Sequence, residues 1–385
     1  MVDDIADVKR RAWASIDCNA LKKNLSQVRA LCPDSKIIPV IKANAYGHGM
    51  VELAHHLAED SHMAAGLAVA TVDEAIQLSA LEIGLPILLL NGFRNAVELN
   101  AILEREIEPV IHSMAQVELL EAHFDKEILG GKRRLWLKQN TGMNRLGMNA
   151  DEIEQAYLRL HKYPDTEFVL LSHFAWADDQ ETEAAKTLTA TQLSFVEASR
   201  LRLLEARDEE VPCSVAASAG IYTQPSAHYQ YVRPGIMLYG SSPLAGQTGE
   251  ELGLHPVMTL HARLISINDV AAGQSIGYGA TYTCEQDSRV GVVSIGYGDG
   301  YPRAAQNGTP VLVQTASGPV RTRLIGRVSM DMITIDLTGI ADVKIDDEVI
   351  LWGEGLCADE VAASAGTIAY ELFCQVTARV PRIYR

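Results

Sequence analysis

The hydrophobic pattern divides the chain into two textures. Up to about residue 245, short apolar runs alternate with stretches whose apolar residues recur at helical spacing. The runs at 37–42, 66–70, 86–91, 109–112, 134–138, 168–173, 213–217 and 236–239 read as strands buried on both faces. Between them, Leu21, Leu25 and Val28 share a helical face after Asp17, and Met50, Leu53, Ala54 and Leu57 share another. After Asp151 the same spacing joins Ile153, Ala156, Tyr157 and Leu160. Eight strand–helix units in roughly 220 residues predict a TIM-like (β/α)8 barrel, which typically takes about 250. A doubly wound parallel sheet is the alternative, because strand order is not written in one sequence.

From about residue 246 the period changes to two. Met258, Leu260, Ala262 and Leu264 alternate with Thr259, His261 and Arg263; Ile333, Ile335 and Leu337 alternate with Thr334 and Asp336. This predicts antiparallel strands with one wet face. The expected architecture is α/β: residues 1–245 as the barrel and 246–385 as a β-rich C-terminal domain. An early run at 12–16, within 11–17, is a strand candidate for that second domain.

Composition narrows the function classes. The formal charge is 33 − 49 = −16, which argues against nucleic acid or an anionic membrane as a bulk partner. An anionic ligand needs a local positive site built against that field. Six cysteines are scattered without CxxC pairs, as in reduced thiols, and no metal site is expected. Residues 1–10 are acidic and polar, with no apolar leader segment, and no run reaches transmembrane length. A cytoplasmic location is expected.

Lys42 carries the first chemical signal. It closes an apolar run and is followed by Ala43-Asn44-Ala45-Tyr46-Gly47-His48-Gly49. An amine where a strand leaves the core is desolvated, which favours its neutral, nucleophilic form. Such lysines form Schiff bases with carbonyl compounds, pyridoxal phosphate included. A lysine pointing to solvent is the plain alternative. Barrel chemistry sits at the C-terminal ends of strands. Lys138 ends the fifth candidate strand, His173 the sixth; Ser218 follows the seventh and Arg233 precedes the eighth. The loops after strands seven and eight, with Ser218-Ala219-Gly220 and Gly235-Ile236, can offer a hydroxyl and backbone N–H groups to a phosphate.

The segment 40–49 resembles the cofactor-lysine motif of the alanine racemase family. Thr141-Gly142-Met143-Asn144-Arg145-Leu146-Gly147 and Arg233-Pro234-Gly235-Ile236 are similar to two further blocks of that family. The segments 277–282, 296–300 and 326–332 resemble blocks of its C-terminal domain. The six blocks occur in order over nearly the whole chain.

The resemblance implies a homodimer with shared active sites, pyridoxal 5'-phosphate as cofactor, and interconversion of L- and D-alanine to supply peptidoglycan. It implies that Lys42 holds the cofactor and works as an acid–base group on one face of the substrate. A racemase needs a second such group on the opposite face, because one alone returns the proton to the side it left. Tyr278, from the partner subunit, is implied for that role. Tyr46, Ser218, Gly235, Ile236 and Tyr370 are implied around the phosphate, and His173 against the pyridine ring. Arg233 is implied at the ring nitrogen, where it cannot accept a proton as a carboxylate would. Arg145 and Met330 are implied at the substrate carboxylate. Lys138, Asp178, Tyr297, Arg303, Arg327 and Asp331 are implied as supporting or entryway residues.

The chain departs from the family pattern at three places. Gln139-Asn140 stands where the family usually has Leu-Asp, so Lys138 is left open between a carbamate, a chloride partner and a plain lysine. Ala217 stands where asparagine is common. Trp176 stands where a smaller residue is common; facing the access channel it narrows it, and facing outward it only packs. Alternatives are a broad-specificity or serine racemase, a decarboxylase of the same fold, and a non-catalytic cofactor-carrier protein. The last resembles the barrel half alone, and Tyr278 and Met330 argue against it.

Overall fold

The computed structural model describes residues 10–59, 63–126 and 132–385. Most of the acidic start, up to Lys9, lies outside the described residues.

Eight parallel strands form the first sheet. They are β2 (Lys36–Ile37), β3 (Leu67–Val69), β4 (Ile87–Leu89), β5 (Glu108–Ile111), β6 (Arg133–Lys138), β7 (Thr166–Leu171), β8 (Cys213–Ala217) and β9 (Tyr231–Arg233), after a β1 (Ala12–Ile16) that belongs elsewhere. Their order is β2-β9-β8-β7-β6-β5-β4-β3. A parallel bridge from Val40 to Ala68 joins the two ends, with Ile41 N donating to Ala68 O at 2.8 Å and Ala68 N to Pro39 O at 2.9 Å. The sheet is therefore a closed barrel, not the open doubly wound alternative. Both faces are dry: Leu67, Ala68, Val69, Leu135, Trp136 and Leu137 are fully buried. The indole N–H of Trp136 donates to Glu108 at 2.8 Å, and Arg134 pairs with the same carboxylate, so the buried indole N–H is satisfied.

Two strand expectations need correction. The first run is a strand only at Lys36–Ile37, with the single bridge at Val40; Pro39 has no N–H to give the ladder. The run 236–239 is a buried 3-10 turn closed by Gly240 at φ 86°, and the eighth strand is Tyr231–Arg233. Arg233 thus ends that strand instead of preceding it, which puts it on the barrel rim with the other site candidates.

The second sheet is built around β10 (Met258–Val270). After the short hairpin of β11 (Ser275–Ile276) and β12 (Tyr282–Thr283) come β13 (Ser288–Val293), β14 (Pro310–Thr315), β15 (Gly318–Arg323), β16 (Ile333–Asp336), β17 (Glu348–Trp352) and β18 (Arg382–Tyr384). The order is β15-β14-β17-β10-β1-β18, and β13 pairs with both β10 and β16. β1 pairs antiparallel with β10 and parallel with β18, so the first strand of the chain lies in the last domain. In β16 the in–out alternation is as expected. In β10 it is not, because Thr259 and His261 are buried. Trp13 of β1 stacks on the His261 ring at 4.8 Å, while Ser15 and Glu348 bond its two nitrogens.

Candidate active site

The chain turns sharply as it leaves the first barrel strand. Ala43, Asn44, Ala45 and Tyr46 have φ between 51° and 54°, one turn of left-handed helix. Side chains strain this conformation by about 1–2 kcal/mol per residue, so its surroundings must impose it. Glu74 accepts from Ala43 N at 2.6 Å, Asn44 Oδ1 from Met50 N at 2.8 Å, and buried His48 bonds the Ala45 and Tyr46 carbonyls through Nδ1. The turn brings Lys42 and Tyr46 together on a cavity of about 1780 Å³ at the C-terminal mouth of the barrel.

The cavity wall gathers much of what the sequence singled out. Lys42, Tyr46, Lys138, Arg145, His173, Asp178, Ser218, Arg233, Gly235, Ile236 and Tyr370 all line it. Four of these are cations: Lys42, Lys138, Arg145 and Arg233. They surround His173, and burial together with that charge holds its imidazole down to about 3. His173 is therefore neutral at physiological pH. Burial, reinforced by Arg145, pulls the Lys42 amine below the ordinary lysine range, against the opposite pull of Glu74 and Cys374. Lys138 falls to about 8 through burial and the charges of Arg233, Arg145 and Lys42. Arg233 is pulled down to about 10 by burial and so stays charged at neutral pH. Its guanidinium donates to Ser214 Oγ, to Ser172 O at 2.8 Å and to Val215 O at 3.3 Å; no carboxylate of the described residues pairs with it.

This end of the cavity fits pyridoxal 5'-phosphate. The Lys42 amine, its proton loosened by burial, is available for an aldehyde, and the surplus of cations suits a phosphate dianion. One glycine lets the loop after β9 approach Tyr46 closely. A Cβ at Gly235 would stand 2.6 Å from the Tyr46 hydroxyl and 3.9 Å from Ser218 Oγ. Ser218 Oγ accepts from Gly235 N at 2.8 Å, which ties the loops after β8 and β9 together. The Tyr46 and Tyr370 rings lie 6.0 Å apart beside them.

Lys138 makes the charge balance testable. Its folded-state value lies below the unfolded 10.5, so the unfolded chain holds the proton more tightly and the penalty on the fold is complete below about pH 8. Without cofactor and in bicarbonate-free buffer, Lys138→Met is expected to add on the order of 2 kcal/mol of stability at pH 7. The gain should vanish as pH rises to 10.5. Denaturant midpoints at several pH values measure it; a gain that stays constant across the window would assign it to packing.

Six expected residues lie elsewhere in the same chain: Tyr278, Tyr297, Arg303, Arg327, Met330 and Asp331 do not line the cavity. Most of them share one face of the β domain. Tyr297 N donates to Ser329 O, and Gly298 N to Met330 O. Gly277 and Gly279 pack against Arg327, and Arg379 bridges Asp331 and Asp299. Arg303 is exposed. Tyr278 is 70% exposed and Met330 54%. Trp176 does not line the cavity, although Ala175 and Ala177 do.

Sequence reasoning missed Gln192. This side chain is 1% exposed; its amide donates to Thr141 Oγ1 and His173 O at 3.1 Å and accepts from Ala175 N at 2.9 Å. It fixes the segment that carries His173. A signal was present: the buried stripe of helix Glu183–Arg207 includes Thr189, Gln192 and Ser199, too polar for plain packing. Cys374, also on the cavity wall, had no such signal.

Comparison with known proteins adds the family context. The family described as alanine racemase, N-terminal domain, matches residues 16–243, and that described as alanine racemase, C-terminal domain, matches residues 257–384. An alanine racemase of Nitrosomonas eutropha is 44% identical over 371 residues, covering 96% of this chain and 98% of the relative. The crystal structure of the biosynthetic alanine racemase of Pseudomonas aeruginosa superposes with a TM-score of 0.88 at 42% identity, covering 98% of this chain and 100% of that one. A Bartonella henselae alanine racemase described with covalently bound pyridoxal phosphate gives 0.83 at 27% identity, over 98% and 100% of the two chains.

Proposed function

The chain belongs to the alanine racemase family and is a pyridoxal-phosphate-dependent enzyme that interconverts L- and D-alanine; from that premise we propose how its own residues divide the work. Lys42, Tyr46, His173, Ser218, Arg233, Gly235, Ile236 and Tyr370 hold the cofactor. When bound, the cofactor supplies an electron sink that acidifies the α-proton of the amino acid. Arg233 keeps a positive charge at the ring nitrogen and delivers no proton there, so the sink stays shallow and side reactions are restrained. Arg145 and the backbone N–H of Met330 bind the substrate carboxylate. Lys42 takes or returns the α-proton on one face, and the Tyr278 hydroxyl does so on the other. Asp178, Tyr297, Arg303, Arg327 and Asp331 shape the approach.

The observation that carries this reading is the half-buried Lys42 amine, its proton affinity lowered by burial, in a cavity lined by three further cations. A second observation supports a dimer. The cavity exceeds the roughly 300–1,000 Å³ of an ordinary ligand site, while the β-domain face bearing Tyr278 and Met330 is exposed. We take that face to cover the cavity of a partner subunit. The proposed domain boundary is at 245/246, with residues 11–17 joining the β domain. No helix among the described residues is long and apolar enough to cross a membrane; we propose a cytoplasmic enzyme whose D-alanine serves peptidoglycan.

Racemisation of alanine, serine and lysine measured side by side, with cofactor present, tests the substrate. Alanine should react fastest, and a faster rate with serine or lysine would move the chain to a broad-specificity racemase. Sedimentation at assay concentration tests assembly; a fully active monomer would end the shared-site reading.

A further inference from the structure

The left-handed turn after Lys42 is held from the far end of the sequence. Gly47 has φ 78° and packs against the end of helix Ala369–Gln375, so closely that a Cβ there would stand 2.0 Å from the Phe373 carbonyl oxygen. Gly49, at φ 104°, packs against the Tyr384 ring, where a Cβ would stand 1.8 Å from the hydroxyl. Two side chains of β18 close the contact. Arg382 Nε donates to Gly47 O at 2.9 Å, and the Tyr384 hydroxyl lies 3.1 Å from His48 O and 3.2 Å from the Glu52 carboxylate, with one proton shared between them.

The remaining partners of Arg382 define its purpose. Its guanidinium donates to Thr377 O at 2.9 Å, Val380 O at 3.0 Å and Val376 O at 2.7 Å. Every recorded acceptor is a backbone carbonyl, and none is a carboxylate. A half-buried guanidinium spent on carbonyls fixes the relative position of backbone segments, with a charge-assisted bond at each point. The segments here are the turn that follows Lys42 and the 376–380 turn. The second continues directly from the helix bearing Tyr370 and Cys374, both on the cavity wall. One side chain therefore ties together two backbone segments whose neighbouring residues, Lys42 and Tyr46 on one and Tyr370 and Cys374 on the other, line the same cavity.

We infer that β18, through Arg382 and Tyr384, is a positioning element for Lys42: it holds the left-handed turn that aims the amine and sets its distance from Tyr46 and Tyr370. The inference rests on Lys42 being the cofactor-bearing lysine. Neither Arg382 nor Tyr384 lines the cavity, so both act through the turn.

Arg382→Met removes the donors and keeps the bulk. Two measurements read the outcome without relying on turnover. In the cofactor-free protein, amide exchange over residues 43–49 should quicken about tenfold, with the barrel strands unchanged. Visible-absorbance titration should show pyridoxal phosphate binding weakened by about tenfold or more. In the reconstituted enzyme kcat should fall while KM for alanine stays within about twofold, because Arg145 is untouched. Arg382→Lys, which keeps the charge but not the fork, should restore only part of the binding. An Arg382→Met protein that melts earlier yet binds the cofactor and protects 43–49 like the wild type would reduce Arg382 to a structural residue. If it does not fold, Tyr384→Phe decides: about threefold weaker binding is expected, and unchanged binding and exchange would overturn the inference. Lys42→Ala separates the two readings. If it keeps the visible band of a lysine-bound cofactor, the assignment of Lys42 fails; if it loses the band while the β18 variants behave as wild type, only the inference fails.

Discussion

Replacing Lys42 by alanine is expected to leave a folded protein with no visible absorbance from a lysine-bound cofactor and no measurable racemisation. Loss of kcat/KM should be at least about 10⁴-fold, the upper end of what one positioned acid–base group contributes, or roughly 5.5 kcal/mol of transition-state stabilisation. Two functions leave together, the tether and the base on one face. Folding should survive because Lys42 is half-buried on the cavity wall and the turn after it is held by backbone and side-chain bonds that do not involve its amine. Lys42→Arg is the sharper control. Arginine keeps the positive charge of the cavity but stays protonated, so it can neither condense with an aldehyde nor take a proton. Circular dichroism checks the fold, cofactor titration the tether, and a coupled D-alanine assay the rate. A Lys42→Arg enzyme with even a few per cent of wild-type turnover would falsify the assignment.

The sequence made much of this legible, and its errors have physical causes. Apolar runs located six of the eight barrel strands, and the first in part, because a parallel sheet is dry on both faces and its strands must be apolar throughout. The eighth was misplaced for the same reason. Ile236-Met237-Leu238-Tyr239 is the more apolar segment and is fully buried, but as a turn; apolarity reports burial and not ladder pairing. The true strand, Tyr231–Arg233, is short and stopped by Pro234. The alternation in β10 misled in the opposite direction, because no period announces that Trp13, from the first strand of the chain, covers His261. In the site, residues at strand ends were legible from the barrel rule alone: Lys138, His173 and Ser218 line the cavity with Lys42. Tyr278 and Met330 were not. Their proposed role depends on a partner subunit, which no single-chain pattern encodes, and only the resemblance to the family points to them. The left-handed turn after Lys42 was equally silent, since four positive-φ residues without glycine contradict local preference. Such violations concentrate where tertiary contacts hold a functional group in place.

Tyr278→Phe should lower racemisation by about 10²–10⁴-fold, and its signature is more informative than its size. The equilibrium constant between two enantiomers is one, so kcat/KM must fall equally in both directions whatever the mechanism. Asymmetry has to be sought in proton exchange. In deuterated water the variant keeps Lys42 on one face, so one enantiomer should still exchange its α-proton while its configuration is retained. The other enantiomer should exchange no faster than it racemises. Equal exchange from both would mean that a single group serves both faces, and the two-base assignment would fall. Because Tyr278 is exposed and lies outside its own chain's cavity, a second experiment tests where it acts. Lys42→Ala and Tyr278→Phe proteins are each expected to be inactive as homodimers. After subunit exchange of equal amounts, half of the dimers are mixed, and each mixed dimer carries one site with both wild-type residues; about a quarter of wild-type activity should return. If both groups belonged to the same chain, no mixture could rebuild a site and the activity would stay at the level of the parents.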